Sequence, residues 1–317
     1  MKVSIVIVNY NEKALLTKLL NSIKKSTFRN YEIVIVDNNS SDGSQELIKK
    51  NYNNVKLVQN KKNLGYTGIN SALKSCKGKY IMFLNNDMEL DKNCIKKLAE
   101  TIKSGKNVAM VAPKLVNFYD KKLESGGTWV SRAFYNGHIK GNSNNALREM
   151  PYLGVGLIKK DFVDMFGYLF DPDYFIYAED LDLGLRIRLN GKKIIFNPDA
   201  VMYHMHGVTM QKTSRSYATF LMERNLLTTF FRILSIKNII LLMPYVFLMR
   251  FAAVIGDLLA LNIKNAYSRI RALFWIMLNF NLILKKRQQT QKFRKSDDNY
   301  ILQVFSESYL FKPKFIV

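Results

Sequence analysis

The chain has 317 residues, 48% of them hydrophobic, and a formal net charge of +23 at pH 7. This apolar content can fill a large core, which excludes a globally disordered chain. The positive charge favours an anionic partner: a nucleotide, a nucleic acid or an anionic lipid surface. Two cysteines cannot form a disulfide framework and fit no zinc spacing, so a reducing compartment is expected. The apolar run at the N-terminus is too short for a signal peptide, and the fold is expected to begin there directly.

The first hundred residues alternate between β-branched apolar segments and segments with helical spacing. Strands are predicted at 3–9, 31–37, 55–60 and 80–85, with helices at 12–25, at 42–51 and from 65 onward. Ser41 or Asp42 is expected to cap the second helix. Buried strands separated by helices predict an α/β fold with a mostly parallel, doubly wound sheet.

Three of the four predicted strands end in a short polar run. One such run is an ordinary turn, because Asn and Asp suit turns for local reasons. Three at the carboxyl edge of one parallel sheet predict a polar crevice, which is where α/β sheets bind ligands. The runs are Asn9-Tyr10-Asn11, Asp37-Asn38-Asn39 and Asn85-Asn86-Asp87.

The usual occupant of such a crevice is a nucleotide, yet the chain has neither a Rossmann glycine fingerprint nor a P-loop. A diphosphate bound here therefore needs another counter-charge, and a divalent metal ion held by Asp87 could supply it. Downstream, Glu179 and Asp180 precede a predicted helix, where acidic residues are also common merely as helix-dipole partners. His204 ends the segment 192–204, which is predicted to form one or two strands. A lone histidine there is more often structural, and His206, which would share its face, is an equal candidate for a metal ligand.

Taken together, these segments resemble the family 2 glycosyltransferases of the GT-A fold. The resembling branch includes bacterial rhamnosyltransferases and galactofuranosyltransferases of surface polysaccharides. The resemblance spans about residues 3 to 227, and the last ninety residues match only in their basic, amphipathic character. Its segments, in family order, are VSIVIVNYN, YEIVIVDNNSSDGS, NLGYTGINSAL, YIMFLNNDMEL, FDPDYFIYAEDLDLGLRIRLNGKKI, VMYHMHG and ERNLL.

The resemblance implies a role for each matching position. Asp37 would accept a hydrogen bond from N3–H of uracil or thymine. Asp180 would be the general base, with Glu179 beside it. The metal ligands would be Asp87 and His204, with Asn85 weaker because an amide replaces the family's usual first aspartate. The remaining positions expected at the nucleotide sugar are Asn9, Asn11, Asn39, Asn63, Gly65, Asn70 and Asn86. Gly154, Asp171 and Trp129 are expected at the acceptor; the Trp129 ring suits stacking on a sugar, and a plain core role is the alternative.

The implied activity is an inverting transfer of a sugar from a UDP- or dTDP-linked donor, with dTDP-rhamnose favoured. The acceptor would be a hydroxyl of a glycan or a lipid-linked saccharide, and Mg²⁺ or Mn²⁺ would assist a single displacement. Two alternatives remain: a nucleotidyltransferase of similar fold, and a non-enzymatic nucleic-acid-binding protein suggested by the charge. The main interpretation involves no nucleic acid and leaves the oligomeric state open.

The expected domains are a glycosyltransferase domain at 1–227 and a basic, amphipathic helical tail at 228–317. The first would comprise a nucleotide-sugar half (1–115) and an acceptor and catalytic half (116–227). Pro244, Arg250 and Asp257 interrupt the longest apolar block of the tail, which favours a helix lying on a membrane over one that spans it.

A second pattern in the tail points the same way. Lys264, Ser268 and Arg271 share one helical face ahead of Trp275, and residues 285–295 form a polybasic run. Peripheral attachment to the cytoplasmic leaflet is expected, where an anionic surface and a lipid-linked acceptor would both be found. An ordinary helical subdomain with a solvated basic face is the alternative.

Overall fold

The computed structural model describes residues 1–105, 107–140, 146–206 and 214–306. The C-terminal part of the predicted tail, 307–317, lies outside these ranges. The strands are β1 (Val3–Asn9), β2 (Tyr31–Asp37), β3 (Val55–Gln59), β4 (Tyr80–Asn85), β5 (Met88–Leu90), β6 (Val108–Asn117), β7 (Leu123–Ser125), β8 (Thr128–Val130), β9 (Asn136–His138), β10 (Arg148–Glu149), β11 (Gly156–Lys159) and β12 (Lys193–His204).

Helices cover the sheet and form the C-terminal third. A 3-10 helix (Gly65–Ser75) joins β3 to β4. The α-helices are α1 (Lys13–Lys24), α2 (Ser44–Asn51), α3 (Cys94–Ser104), α4 (Lys160–Phe166), α5 (Glu179–Leu189), α6 (Arg215–Ile233), α7 (Ile236–Leu259), α8 (Ile263–Leu278), α9 (Phe280–Gln291) and α10 (Asp298–Leu302).

A ten-stranded, mostly parallel sheet forms the centre of the molecule, with strand order β10-β12-β6-β11-β4-β1-β2-β3. Strands β1 to β4 pair in parallel, and so do β6 and β12. Strand β11 runs antiparallel between β4 and β6. The predicted α/β fold class is confirmed. Because β1, β2 and β4 are parallel, their polar ends do meet at one edge.

The local predictions mostly agree with the structure. The four N-terminal strands lie within one residue of their expected bounds, and β12 is one continuous strand with a bulge between Asn197 and Val201. The predicted cap of α2 was wrong. Gly43, with φ of +80°, is the cap residue, and Asp42 instead accepts the backbone N–H of Ser44 at 3.0 Å.

The C-terminal helices share a core with the second half of the sheet domain. One cluster of buried apolar residues joins Phe134 and Leu185 to Phe230, Val246 and Ile276. Helix α6 also runs through the predicted boundary at 227/228. That boundary is therefore misplaced, and residues 215–306 pack as a continuation of the domain.

Buried ion pairs fasten these helices to α5. The guanidinium of Arg232 on α6 is fully buried and reaches Asp171 at 2.7 Å and Asp182 at 3.0 Å. Asp182, on α5, also pairs with Arg186 at 2.7 Å, while Lys286 on α9 contacts Asp171. Removing one partner from such a cluster leaves an uncompensated buried charge, which costs about 3–5 kcal/mol.

Candidate active site

The polar ends of β1, β2 and β4 are joined to one another by side-chain hydrogen bonds. Asn9 is fully buried at the centre. Its Nδ2 donates to Oδ2 of Asp37 at 3.0 Å, and its Oδ1 accepts from Nδ2 of Asn86 at 2.8 Å. The edge therefore has the predicted polar character, but these three side chains bind each other.

The predicted contact between Asp37 and a pyrimidine does not fit this arrangement. Asp37 is fully buried, and its two oxygens accept hydrogen bonds from Asn9, from the backbone and hydroxyl of Ser40, and from Gln45. Four donors occupy the four lone-pair directions of a carboxylate. Asp37 thus shapes the floor of the crevice, while the exposed Asn39, with φ of +66°, is nearer to solvent.

The other predicted nucleotide-binding residues have structural partners as well. Asn11 has a φ of +53° and accepts the backbone N–H of Ser41 at 2.7 Å. Asn63 accepts the backbone N–H of Gly65 at 2.8 Å. Asn70 donates a hydrogen bond to the carbonyl of Phe170 and accepts hydrogen bonds from the N–H groups of 169 and 170. Its side chain therefore holds that segment in place and does not face the expected nucleotide-sugar site.

Gly65 allows the 3-10 helix to approach the loop ahead of α5. Its φ is +63°, and a Cβ there would lie 2.3 Å from the backbone oxygen of Phe175. That same oxygen accepts the backbone N–H of Tyr66 at 2.9 Å. Sequence reasoning missed Asn38, which is buried and donates to the carbonyl of Gly65 at 2.8 Å. The two halves of the domain therefore meet at this point.

The structure brings together Asp87 and His204, the two principal predicted metal ligands. Strand β5 pairs antiparallel with β12 so that Met88 lies opposite His204. The backbone N–H of Met205 also donates to the carbonyl of Asp87 at 2.8 Å. As a result, Nε2 of His204 lies 3.2 Å from Oδ2 of Asp87.

Glu124 on β7 binds the opposite side of the same imidazole, and sequence reasoning missed it. Its Oε2 lies 2.8 Å from Nδ1 of His204, and its Oε1 contacts Nε2 of His206. Burial alone lowers the pKa of His204, but hydrogen bonds to Asp87 and Glu124 outweigh burial and raise that pKa to about 9. Burial raises the pKa of Glu124, but its hydrogen bonds with His204 and His206 outweigh burial and hold that pKa below its usual value.

This donor set fits a divalent cation. A carboxylate oxygen and an imidazole nitrogen 3.2 Å apart have the separation of neighbouring ligands at about 2.1 Å from one ion. The imidazole nitrogen makes this set less suited to Mg²⁺, which prefers oxygen ligands. Half-buried Asn85 ends β4 two residues before Asp87, and His206 faces Glu124. Nε2 of His204 lies beside Asp87, and Glu124, His204 and His206 together also form a group that could hold a metal ion.

The predicted catalytic carboxylates begin α5. Burial raises the pKa of Asp180 to about 6, although the backbone N–H of Leu181 donates to its Oδ1 at 2.8 Å and opposes that rise. Burial, and then the charge of Asp180, raise the pKa of Glu179 well above its ordinary value. Within the described ranges, Oε2 of Glu179 has no hydrogen-bond partner. At neutral pH Asp180 is therefore ionised, while burial and the charge of Asp180 both disfavour ionisation of Glu179.

Tyr66 connects the carboxylates with the candidate metal position. Its hydroxyl donates to the carbonyl of Gly154 at 2.7 Å, and a Cβ on Gly154 would lie 3.4 Å from Oδ2 of Asp180. Burial raises the pKa of Tyr66, and the charges of Glu179, Asp180 and Asp87 raise it further. Asp87 and Asp180 thus both lie close enough to Tyr66 for their charges to act on it.

The predicted acceptor residues are spread over different environments. Gly154 borders Asp180 as described. Trp129 is half-buried in the β8–β9 hairpin, with its ring over Gly137, and its neighbour Thr128 donates to the carbonyl of Tyr152 at 2.6 Å. Asp171 is almost fully buried in the ion cluster of Arg232 and Lys286, so its carboxylate is not available to an acceptor.

Residues 4–150 match the family model described as Glycosyl transferase family 2. This part of the chain is a glycosyltransferase family 2 domain. A Methanococcus voltae transferase, named for adding a diacetamido-glucuronosyl unit to dolichyl N-acetylglucosaminyl phosphate, is 22% identical over 267 residues, 80% of this chain and 81% of that protein. Staphylococcus aureus TarS, a poly(ribitol-phosphate) β-N-acetylglucosaminyltransferase, is 33% identical over 124 residues, 37% of this chain. The chain spans only 22% of TarS and 15% of a related Bacillus spizizenii β-glucosyltransferase.

Solved structures agree on the GT-A-like fold. The structure of residues 1–349 of S. aureus TarS with UDP-GlcNAc has a TM-score of 0.62 at 17% identity, covering 97% of this chain and 93% of that one. GalNAc-T7, solved with UDP, GalNAc and Mn²⁺, has a TM-score of 0.59 at 20% identity, covering 72% and 47%. The first of these alignments reaches beyond the family 2 domain into the C-terminal helices. The predicted relationship to bacterial and archaeal polysaccharide glycosyltransferases is thus confirmed. The predicted rhamnosyltransferase or galactofuranosyltransferase branch stays a prediction.

The most informative residue that sequence reasoning missed in the family 2 domain is Glu124. It comes from a three-residue strand that pairs only with β6, with Leu115 opposite Ser125. No sequence motif marks it, and only the sheet register brings it to His204. Outside that domain, sequence reasoning also missed the role of Asn225 in the ERNLL segment: its side chain donates to the carbonyls of Tyr174, Ile176 and Tyr177, directly ahead of α5.

Proposed function

We propose that the chain is an inverting glycosyltransferase that moves a sugar from a UDP- or dTDP-linked donor to a hydroxyl of a glycan or lipid-linked saccharide. The observation that carries the proposal is that Asp87 and Asp180 both lie near the buried Tyr66. Asp87 and His204 form a pair suited to a metal-bound diphosphate, and Asp180 has the pKa of a usable base. The relatives favour this reading over the nucleotidyltransferase and nucleic-acid-binding alternatives.

Asp180 has the properties that a general base requires. With a pKa of about 6 it is ionised at neutral pH, yet basic enough to take a proton from an attacking hydroxyl. Its neighbour Glu179 is buried, and burial and the charge of Asp180 raise its pKa, which makes it less suited to act as a second, ionised nucleophile. One base and no covalent carboxylate intermediate correspond to a single displacement, which inverts the configuration of the sugar, unlike the paired carboxylates of a retaining glycosidase.

The metal ion would be held by Asp87 and His204, with Asn85 as a weaker contributor. When bound, it would neutralise the charge of the leaving diphosphate. Glu124 would accept the Nδ1–H of His204 and so direct Nε2 toward the ion, as carboxylates commonly do behind metal-binding histidines.

The donor is proposed at the level of its nucleotide. The resemblance favours dTDP-rhamnose, whereas the TarS structure with UDP-GlcNAc favours a UDP-sugar. A thermal-shift screen of UDP- and dTDP-sugars, each with Mn²⁺, Mg²⁺ or a chelator, tests the proposal directly, because a ligand that binds only the folded state raises Tm. We expect a rise of several degrees for the true donor that depends on metal and is lost in Asp87→Asn. If no nucleotide sugar raises Tm with either metal, the proposed function is wrong.

We also propose that the enzyme works at the inner face of the cell membrane as a peripheral protein. Support comes from relatives whose names specify lipid-linked substrates, among them the dolichyl-phosphate transferase of M. voltae and a GalNAc(5)-diNAcBac-PP-undecaprenol glucosyltransferase of Campylobacter jejuni. Such substrates are fixed to the bilayer, so an enzyme that uses them must reach its surface.

A further inference from the structure

The helices α7, α8 and α9 carry an unusual concentration of exposed apolar side chains. Nineteen of the 23 large hydrophobic residues exposed in the described ranges lie between 236 and 284. On α8 they recur every three or four residues, which places them on one face. The largest apolar patch on a typical soluble monomer measures about 300–600 Å². A few exposed side chains of this size make up such an area, and these helices carry many more. The outer face, as we call it, includes Ile240, Leu248, Phe251, Ile255, Leu259, Ile263, Tyr267, Ile270, Phe274 and Met277.

The charges that interrupt the sequence of α7 are turned away from this outer face. Arg250 is 1% exposed, and its Nε lies 3.4 Å from a carboxylate oxygen of Glu223 on α6. Asp257 pairs with Arg269 of α8 at 2.7 Å, and Arg269 also contacts Glu223. Helix α7 is long and apolar enough to span a bilayer by length and composition. Its inner side, however, is bound by ion pairs to α6 and α8, which favours a helix that lies flat.

Cations border the outer face. Lys264 and Arg271 are exposed on α8, to one side of its apolar row. Lys237 is exposed at the start of α7, and Lys285 is exposed in the middle of α9. Within 285–295 the roles are divided. Lys286 binds Asp171, while Arg287 and Arg294 donate to backbone carbonyls of the 231–234 segment, so those three cations serve the fold. The predicted interfacial face of α8 also needs correction, because Ser268 on it is buried.

We propose that the outer face, formed by α7 and α8, lies flat on an anionic bilayer, with its apolar side chains in the acyl boundary and the bordering cations at the phosphates. Apolar burial and attraction to anionic headgroups add in this geometry. A second copy of the chain suits the face less well, because a two-fold interface would bring the same cations of both copies together. This inference deepens the proposed membrane location and does not depend on the donor sugar.

Vesicle sedimentation tests the proposal on the full chain. The wild type should bind mixed phosphatidylglycerol–phosphatidylcholine vesicles and lose binding as salt rises, with much weaker binding to pure phosphatidylcholine. The double variant Phe251→Glu/Phe274→Glu changes two residues 54% and 58% exposed, so the fold is not disturbed. It should bind at least about tenfold more weakly. Leu147→Glu, 58% exposed but outside these helices, is the matched control and should bind like the wild type.

The UDP-induced rise in Tm, measured on all three proteins, separates this proposal from the proposed function. A wild type that shows the rise but binds no vesicles overturns the docking surface alone, and so does a double variant that binds as well as the wild type. If size-exclusion chromatography shows a dimer that only the double variant breaks, and no vesicle binding, the face is an interface between copies and the proposal is wrong.

An independent observation concerns the loop that leads into α5. Phe175, Tyr177 and Ala178 all have φ between +59° and +70°, a left-handed region that such residues rarely adopt. The buried Nδ2 of Asn225 donates to the carbonyls of Tyr174, Ile176 and Tyr177 at 3.1, 3.2 and 2.7 Å. Asn225 therefore satisfies the carbonyl oxygens that this strained conformation turns toward α6.

We infer that Asn225 is a positioning residue that places Asp180 through this loop. Its neighbour Arg224 adds hydrogen bonds to the carbonyls of Asp173 and Tyr174 at 2.8 and 3.2 Å. On the opposite side, the backbone N–H of Tyr66 holds the carbonyl of Phe175. The loop is fixed from both halves of the domain, so a change at Asn225 should move the base without touching the donor. This second inference rests on the proposed function.

Asn225→Asp tests it, because the variant keeps the shape and replaces the donor by an oxygen that repels the three carbonyls. We expect kcat for sugar transfer, measured as release of the nucleotide, to fall at least about tenfold. The KM for the nucleotide sugar and the rise in Tm on adding UDP should both stay unchanged. Hydrogen exchange across 173–179 should become faster, and the acid limb of the pH–rate profile should move. Thr228→Val, which removes only a bond within α6, is the control. An Asn225→Asp variant with the exchange rates and pH profile of the control would refute the positioning role. Faster exchange without any measurable transferase activity in the wild type would refute only the proposed function.

Discussion

Replacing Asp180 by asparagine should abolish transfer and at the same time make the protein more stable. Burial raises the pKa of this carboxyl from an ordinary 3.8 to about 6, so the folded state disfavours the charged form. A difference of about two pK units corresponds to about 3 kcal/mol. Partial access of the side chain to water makes this an upper limit, and about 1–3 kcal/mol is expected.

The sign of the effect fixes its pH dependence. Above pH 6 the carboxylate is ionised in both states and its charge destabilises the folded one. Below pH 3.8 it is protonated in both states, and the difference vanishes. The gain in the free energy of unfolding for Asp180→Asn should therefore be full at pH 8 and decline between pH 6 and pH 4.

Urea denaturation of wild type and variant at pH 8, 6 and 4 measures this difference, with the exposed Asp199→Asn as a control for the loss of one surface charge. The m-value should stay constant, since the surface exposed on unfolding is the same. An Asn variant that is less stable than the wild type at pH 8 would show that Asp180 is held by favourable contacts. In that case the folded protein would not disfavour the charged form of Asp180, and the raised pKa expected of a base would be absent.

Four further results are expected. The pH–rate profile for kcat should lose activity below about pH 6, as Asp180 becomes protonated; a flat profile down to pH 5 would contradict this. Glu124→Gln should weaken Mn²⁺ binding in the presence of UDP about tenfold or more, measured by the free Mn²⁺ signal in electron paramagnetic resonance; unchanged affinity would remove the orienting role. Gly65→Ala should destabilise the fold in urea by at least 1–2 kcal/mol or so, because the new methyl would lie 2.3 Å from the oxygen of Phe175. Asp182→Asn should cost about 3–5 kcal/mol by the same assay, as it leaves buried arginine charge unpaired; a loss below 1 kcal/mol would contradict that.

The parts of the fold that depend on local sequence could be predicted. The strands β1 to β4 are continuous apolar runs of β-branched residues, and their order along the chain implies a parallel sheet. The polar residues after them identify the edge that carries the site. Asp87 and His204 could be paired only through the family resemblance, since 117 positions separate them and no local pattern sets the register of β5 against β12.

What the sequence could not show is which partner each polar group binds. Asp37 and Asn70 are residue types that suit a nucleotide, yet their hydrogen bonds are used within the protein. The same holds for charge: Arg250 reads as an interruption of an apolar helix, whereas the structure gives it Glu223 as a partner on α6. Long-range pairing decides these cases, and residue type alone does not encode it.

The ion cluster around Arg232 has a practical meaning for anyone who wishes to study the catalytic part alone. A protein cut after Ile236 would retain Asp171 and lose Lys286, and it would also uncover the Phe230 side of the shared core. Such a fragment should aggregate for reasons unrelated to lipid. The helices at the end of the chain are as much part of the folding unit as the sheet, and they are better examined by changing single surface side chains than by removing them.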